Sequence, residues 1–534
     1  MGYTPLAVSF RKNRLSIPSQ NSALTQMAKS GKNLRDLPQF LSPDFALENT
    51  NYFITTDGGL SKRKGLEKIF EVAGIYPITL LEKFTSDIYI FAYNNIVAAY
   101  TKSTSIITNI KTNFSTSDPF TGARWGDYFF ICNGSEAIGR IDLALTYTTI
   151  AGAPICKVIR VGNSRLYAGN LSTDATAVAY STIDTGSNPP FTSFTVGTLA
   201  TDGGLLNNRN AGPVNDINFL GDIVVVFAVD GKWAFRTVVQ TTGTQIVKND
   251  DPVIWRQDFG GASGSLLCAK GLFYVNSAGL WQIVSFGQPN IPFSDQEGLN
   301  SILLGTGYFD NINLSNADMT YYARYSTVLL TCAKASQRNN FIIAFNAENK
   351  SFSEFTGWTI NRFLNDEQEI YGASSYGTKV WHLFQGNSDD GKDIYTNYYQ
   401  ELKTGDLETR QILLGGYVQG LLSLLTNLRV AFDIFNVEGN EEKDKLIFTW
   451  TSQNANNLTD GYGIVSWGQG VFAGQPNAQG LLECFDGFRD YIRNYQRIRI
   501  HITGHDQLPH QINWVKLNFE VKVPIRRRKM KKVS

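Results

Sequence analysis

Between residues 76 and 402, short apolar and alternating runs are separated by Gly, Asn, Asp and Ser turns, and the pattern recurs in units of roughly 35–55 residues. Seven stretches line up. The first two are "ITLLEKFTSDIYIFAYNNIVAAYTKSTS" and "GARWGDYFFICNGSEAIGRID". Next come "CKVIRVGNSRLYAGNLSTDATAVAYST" and "PVNDINFLGDIVVVFAVDGKWAFRTV". The last three are "SLLCAKGLFYVNSAGLWQIVSF", "MTYYARYSTVLLTCAKASQRNNFIIAFN" and "QEIYGASSYGTKVWHLFQGNSDDGKDIYTN". Five of the seven share a kernel of strand, Gly or Asn turn, aromatic-rich strand, second turn and third strand. A meander of this kind has two apolar faces and cannot bury both alone, whereas radial stacking closes the core and leaves short edges. A pair of β-sandwiches would give the same alternation without the fixed recurrence. The expected fold is therefore all-β, with a β-propeller of six or seven blades.

The period breaks after residue 402. Residues 403–534 carry longer alternating runs, ending in a stretch where Ile498, Ile500 and Ile502 share one face and Arg497, Arg499 and His501 the other. This predicts a C-terminal β-sandwich of about six to eight strands. Residues 1–40 are polar and aperiodic, and read as an extended arm ordered by a partner. Three regions follow: an N-terminal arm and platform segment over 1–75, a propeller over 76–402, and a C-terminal sandwich platform with a basic tail over 403–534.

Composition adds bounds. A chain of 534 residues suggests two or three domains. Its 34 Phe, 24 Tyr and 48 Gly suit strands and turns. Lys+Arg 48 against Asp+Glu 47 gives a formal charge of +1, so no whole-chain field marks a nucleic-acid or membrane partner. The last residues hold Arg526, Arg527, Arg528, Lys529, Lys531 and Lys532, which leaves the body mildly acidic. The five cysteines are scattered without a CxxC pair and read as buried free thiols. The N-terminus has no signal-peptide layout, and the apolar run at 223–229 is too short to span a bilayer, so the expectation is a soluble protein with no membrane anchor, made in the cytoplasm.

Candidate chemistry is sparse. Lys62, Arg63 and Lys64 follow a Gly-Gly turn, as a phosphate or acidic-partner contact would, or as the solvated end of a hairpin would. The C-terminal basic run suits DNA, anionic lipid or an acidic protein, or a solubilising tail. His501, His505 and His510 lie close in sequence but lack the spacing of a metal site. Residues 386–393, "GNSDDGKD", fail the calcium-loop spacing and read as a hairpin turn. "VDGKW" and "SAGLW" are fragments of the turn motif of propeller sialidases, without the full pattern or a singled-out carboxylate pair. Neither a nucleophile elbow nor a phosphate loop is present. No catalytic, metal or cofactor site is expected.

After a leader, residues 35–69 run through Asn49, Asn51, Gly59-Leu60, Lys62-Arg63-Lys64 and Gly65. With "RVGNSRLYAGNL", "GGASGSLLCAKGLFYVNSAGLWQI" and "NYQRIRIHITG" downstream, the chain resembles the tail nozzles, also called tail hubs or tubular proteins B, of short-tailed bacteriophages. The resemblance covers most of the chain. It implies a structural, non-enzymatic virion protein: a homohexameric ring below the portal and its adaptor, carrying tail fibres or spikes, closing the tail channel and conducting DNA without sequence specificity. In such a ring the N-terminal segment and the sandwich form the platform, and the propellers sit outside. Lys62, Arg63 and Lys64 would then face a neighbouring chain or solvent. A mildly acidic body suits a lumen that must not retain DNA. The alternative is a propeller that binds or degrades host-surface polysaccharide.

Overall fold

The computed structural model describes residues 21–26, 32, 45–55, 59–116, 119–183, 193–197, 202–240, 243–246, 253–256, 260–283, 308–402, 410–423, 427–436, 441–451, 456–457, 477–486, 492–506 and 510–522. These residues form two compact units. One comprises residues 28–398 and 503–509; the other comprises residues 1–27, 399–502 and 510–534.

The larger unit is a seven-bladed β-propeller. Blade one runs from Ile78–Lys83 to Ile106–Lys111, and blade two from Thr121–Trp125 to Tyr147–Thr149, each a four-stranded antiparallel meander. Blade three spans Cys156–Gly162 to Gly204–Asn207, and blade four starts at Val214–Leu220. Blade five contributes three described strands from Leu266–Cys268 to Gly279–Ile283. Blade six runs from Ile312–Tyr322 to Ser351–Phe355. Blade seven takes Ile360–Asp366, Glu369–Ser374 and Lys379–Leu383 from one stretch of chain. The first strands of the seven blades touch in sequence around the axis, and that of blade seven touches that of blade one, so the ring is closed.

Closure uses a strand from elsewhere. Leu66–Glu71 pairs antiparallel with Lys379–Leu383, setting Val380 opposite Phe70 and Leu383 opposite Leu66, and becomes the fourth strand of blade seven. The expected boundary near residue 75 is therefore corrected. The strand before it belongs to the propeller, because an exposed blade edge and the apolar face of Phe70 are both satisfied only there.

Turn chemistry and burial explain the local structure. Asn163 and Ser164 both have positive φ, 48° and 58°, which is the type I′ geometry that a two-residue hairpin turn in blade three needs. In blade one, strand Ile88–Tyr93 sends its alternate residues into two separate cores. Tyr89, Phe91 and Tyr93 pack with Phe70, Leu364, Tyr371 and Val380, while Ile90 and Ala92 pack with Phe129, Ile131 and Ile141. Every blade lies between two neighbours, so a second strand buried on both faces reads as a continuous apolar run; Ile223–Ala228 of blade four, buried throughout, is the clearest case.

The smaller unit is built from longer strands. His510–Lys522 pairs antiparallel with Arg410–Ser423 along nearly its whole length, and Arg410–Ser423 pairs again with Asn477–Asp486. Asn427–Asn436 forms a hairpin with Glu441–Thr451. Asn21–Gln26, near the other end of the chain, pairs with Trp514–Phe519. The propeller is thus carried as an insertion between the first described strand of this unit and the rest. Ile498, Ile500 and Ile502 are buried, as the alternation predicts. Arg499, on the opposite face, is also buried: its Nε donates to Glu401 Oε2 at 3.1 Å, and its guanidinium lies 4.3 Å from the centre of the Phe435 ring. Arg499 is therefore paired within the fold rather than solvated.

Candidate functional site

The basic turn separates into three different side chains. Arg63 is buried, and all five of its N–H donors are used. Nε donates to Asn51 Oδ1 at 2.8 Å; Nη1 donates to Asp389 Oδ1 at 2.8 Å and to the Lys64 carbonyl at 3.1 Å; Nη2 donates to Asp389 Oδ2 at 2.6 Å and to the Thr356 carbonyl at 2.8 Å. The guanidinium also lies 4.4 Å over the Trp358 ring, whose Nε1 donates to the same Asp389 at 2.8 Å. A bidentate, stacked arginine of this kind is geometrically exacting and holds its neighbours in register.

The residues around Arg63 explain the motif in which it occurs. Asn51 has φ 62°, and its amide donates to Thr356 Oγ1 at 3.1 Å and to the Tyr395 carbonyl at 2.6 Å. Gly65 runs so close to Ser388 that a β-carbon there would sit 1.8 Å from the Ser388 carbonyl oxygen. Only glycine fits. The 386–393 stretch is the expected hairpin turn: Asp389 and Lys392 exchange backbone hydrogen bonds, and Asp390 and Gly391 have positive φ. Its further use, as the counter-ion of Arg63, was not legible locally because the two residues are 326 positions apart.

This placement corrects the expectation that Arg63 faces phosphate, solvent or a neighbouring chain. Its charge is satisfied within the propeller. Lys62 is buried as well. Lys64 alone of the three is exposed, and it lines a cleft of about 680 Å³ with Arg324, Gln368, Glu369, His382 and Gln385. Arg526, Arg527, Arg528, Lys529, Lys531 and Lys532 lie outside the described residues. Of the three clustered histidines, His501 packs edge-on to Tyr399, His505 is exposed with Asp393 at 3.9 Å, and His510 is buried. Among the described cysteines, Cys132, Cys156 and Cys332 are buried free thiols and Cys268 is half-buried.

A second cluster, absent from the sequence reading, occupies the propeller axis. The first strands of five blades place Glu82, Arg160, Asp216, Asp318 and Arg362 around a cavity of about 70 Å³. Arg160 Nη2 lies 3.0 Å from Asp216 Oδ1, and Asp216 Oδ2 accepts from the Ser265 amide and hydroxyl, each at 2.7 Å. Arg362 donates to the Thr79 and Asn316 carbonyls at 3.0 Å, while Asp318 accepts from the Phe363 amide at 2.7 Å. Glu82 is half-buried and lines the axial cavity. Burial pushes its carboxyl up to about 7, against the partial counter-effect of Arg160. With three acids facing two arginines, the cluster is balanced when Glu82 holds a proton. A cavity of this size has room for a few water molecules, so the charges cross-link blades through the axis.

No family model matches the chain, and no curated protein matches it. Solved structures give distant likenesses, one of them to a named β-propeller domain. One is a chain of the mitotic checkpoint complex, at 10% identity and TM-score 0.40, covering 60% of this chain and 94% of that one. A second is the WD40 β-propeller domain of Doa1, at 9% identity and TM-score 0.40, covering 60% and 96%. YCF48 bound to D1 peptide gives 9% identity and TM-score 0.38, covering 60% and 97%.

Proposed function

We propose that the chain is a structural subunit of a short-tailed bacteriophage tail nozzle, acting by assembly rather than catalysis. In this reading six copies form a ring below the portal and adaptor, carry tail fibres or spikes, and conduct DNA through a lumen that contacts it without sequence specificity. The observation that supports it best is the antiparallel pairing of Asn21–Gln26 with Trp514–Phe519. This makes the propeller an insertion within a long-stranded unit assembled from both chain ends, as the resemblance of the 49–65 motif implies for a platform carrying a propeller. The buried Arg63–Asp389 pair adds to it, since the motif residues hold the inserted ring to the segment entering it.

The test is native mass spectrometry and negative-stain electron microscopy of the purified full chain. A hexameric ring is expected. Deleting residues 1–40 removes the Asn21–Gln26 strand and is expected to leave the propeller folded while abolishing the ring. A chain that stays monomeric at tens of micromolar, or a ring unaffected by the deletion, overturns the reading.

A further inference from the structure

The cleft beside Lys64 has a composition that the assembly reading does not use. Its walls come from the turn after the first strand of blade six, the first turn of blade seven, and the segment following the third strand of blade seven. Lys64 and Arg324 are both exposed, and neither has a carboxylate partner among the described residues. The one carboxylate in the lining, Glu369, accepts from the Tyr371 hydroxyl at 2.7 Å and lies 3.9 Å from His382 Nε2. Burial pushes the His382 imidazole down, which keeps it neutral at pH 7, and Gln385 Nε2 sits 3.3 Å from its ring nitrogen. The cleft therefore presents two cations against one anion, together with amide and imidazole groups that both donate and accept hydrogen bonds. Its back is the Tyr322–Phe384 stack, with ring centres 4.4 Å apart and planes within 5°.

We propose that this cleft binds an acidic saccharide, with Lys64 and Arg324 recognising its carboxylate and Gln368, Gln385 and His382 its hydroxyls. The volume decides against a bare inorganic anion. About 680 Å³ lies in the range of sites that enclose a ligand of several rings. Chemistry decides against a peptide. Peptide grooves work through an open strand edge or deep apolar anchors, whereas here the two stacked rings are buried and polar side chains make up most of the wall. The proposal stands whether or not the chain forms a ring.

The experiment is isothermal titration of the full chain with tetragalacturonic acid, with maltotetraose as the neutral control and hexaglutamate as the acidic peptide control. Binding of the acidic sugar is expected, with each control at least tenfold weaker. Lys64→Ala with Arg324→Ala is expected to weaken it at least tenfold with the melting temperature changed by no more than a few degrees, and Lys64→Arg to retain it, because both side chains are exposed and the only ring contact Arg324 makes among the described residues is at 5.8 Å, over Tyr325. Absence of binding, equal binding of maltotetraose, tighter binding of hexaglutamate, or an unaltered affinity in the double variant would each overturn the proposal.

Discussion

Blade one has two neighbours, and its two seams are built differently. Towards blade two the seam joins residues close in sequence, and its core is hydrocarbon and aromatic (Ile90, Ala92, Val97, Phe120, Phe129, Ile131 and Ile141), with a single Lys111–Glu136 ion pair, partly exposed, beside it among the described residues. Towards blade seven the seam joins residues nearly 300 positions apart, and charge accompanies the apolar contacts. Asp366 of blade seven accepts from Tyr89 Oη at 2.7 Å and Lys102 Nζ at 3.0 Å, and it also pairs with Lys83. At the outer side of blade seven, Arg63 and Asp389 fix the incoming segment. Apolar surfaces match one another with little selectivity, and a short local connection already chooses the partner. Where the chain supplies no such connection, directional charged hydrogen bonds define which strand docks and in what register.

The sharpest way to break this contrast is Arg63→Ala. It leaves Asp389 as an unpaired buried carboxylate and is expected to cost the closing seam about 3–5 kcal/mol. Hydrogen exchange should register this first at Leu66–Glu71, before the strands of blades two to four. Uniform loss of protection around the ring would show that closure is not a separate event. Ile131→Ala strikes the local seam instead. Both Ile131 and its partner Ile90 are buried, so a cost of about 2–4 kcal/mol from lost transfer energy and a residual cavity is expected. Its exchange signature should be confined to blades one and two, leaving Leu66–Glu71 protected.

The smallest effect is expected at the inner edge shared by both seams, where Glu82 sits in the first strand of blade one. Its carboxyl titrates near 7 when folded, above its ordinary value of 4.5, so the folded state holds a proton that the unfolded chain releases between those values. Stability from this group is therefore greatest at low pH, declines as pH rises from about 4.5 to 7, and is flat above that. Chemical denaturation across pH 5–8 should show a decline of about 1–2 kcal/mol that Glu82→Gln removes. An identical slope in that variant would assign the titration elsewhere.

Legibility in the sequence follows the same division. The blades recur along the chain, so their kernels, their turns and the doubly buried run Ile223–Ala228 are visible to periodicity. Seven of them close the ring, within the expected six or seven. Leu66–Glu71 was not recognisable as a blade strand, because its partner Lys379–Leu383 comes more than 300 residues later. The basic turn was legible as a feature but not in its meaning: Lys62, Arg63 and Lys64 are equal in charge and neighbours in sequence, while the burial of Arg63 depends on the distant Asp389, Thr356 and Trp358. The axial cluster escaped notice for a related reason. Each blade gives it at most one charged side chain, so no local run of charge announces it.

Ring closure by Leu66–Glu71 also sets a clock. The strand is synthesised before any blade, and its acceptor edge at Lys379–Leu383 is the last part of the ring to be made. At ordinary translation rates the interval is roughly 15–60 s. Through that time Phe70 has only its blade-one neighbours Phe91 and Tyr100, and six growing blades lack their closing seam. Fusing a second copy of residues 48–71 behind blade seven would supply the strand without delay, and the nascent ring would close as soon as its last blade emerged.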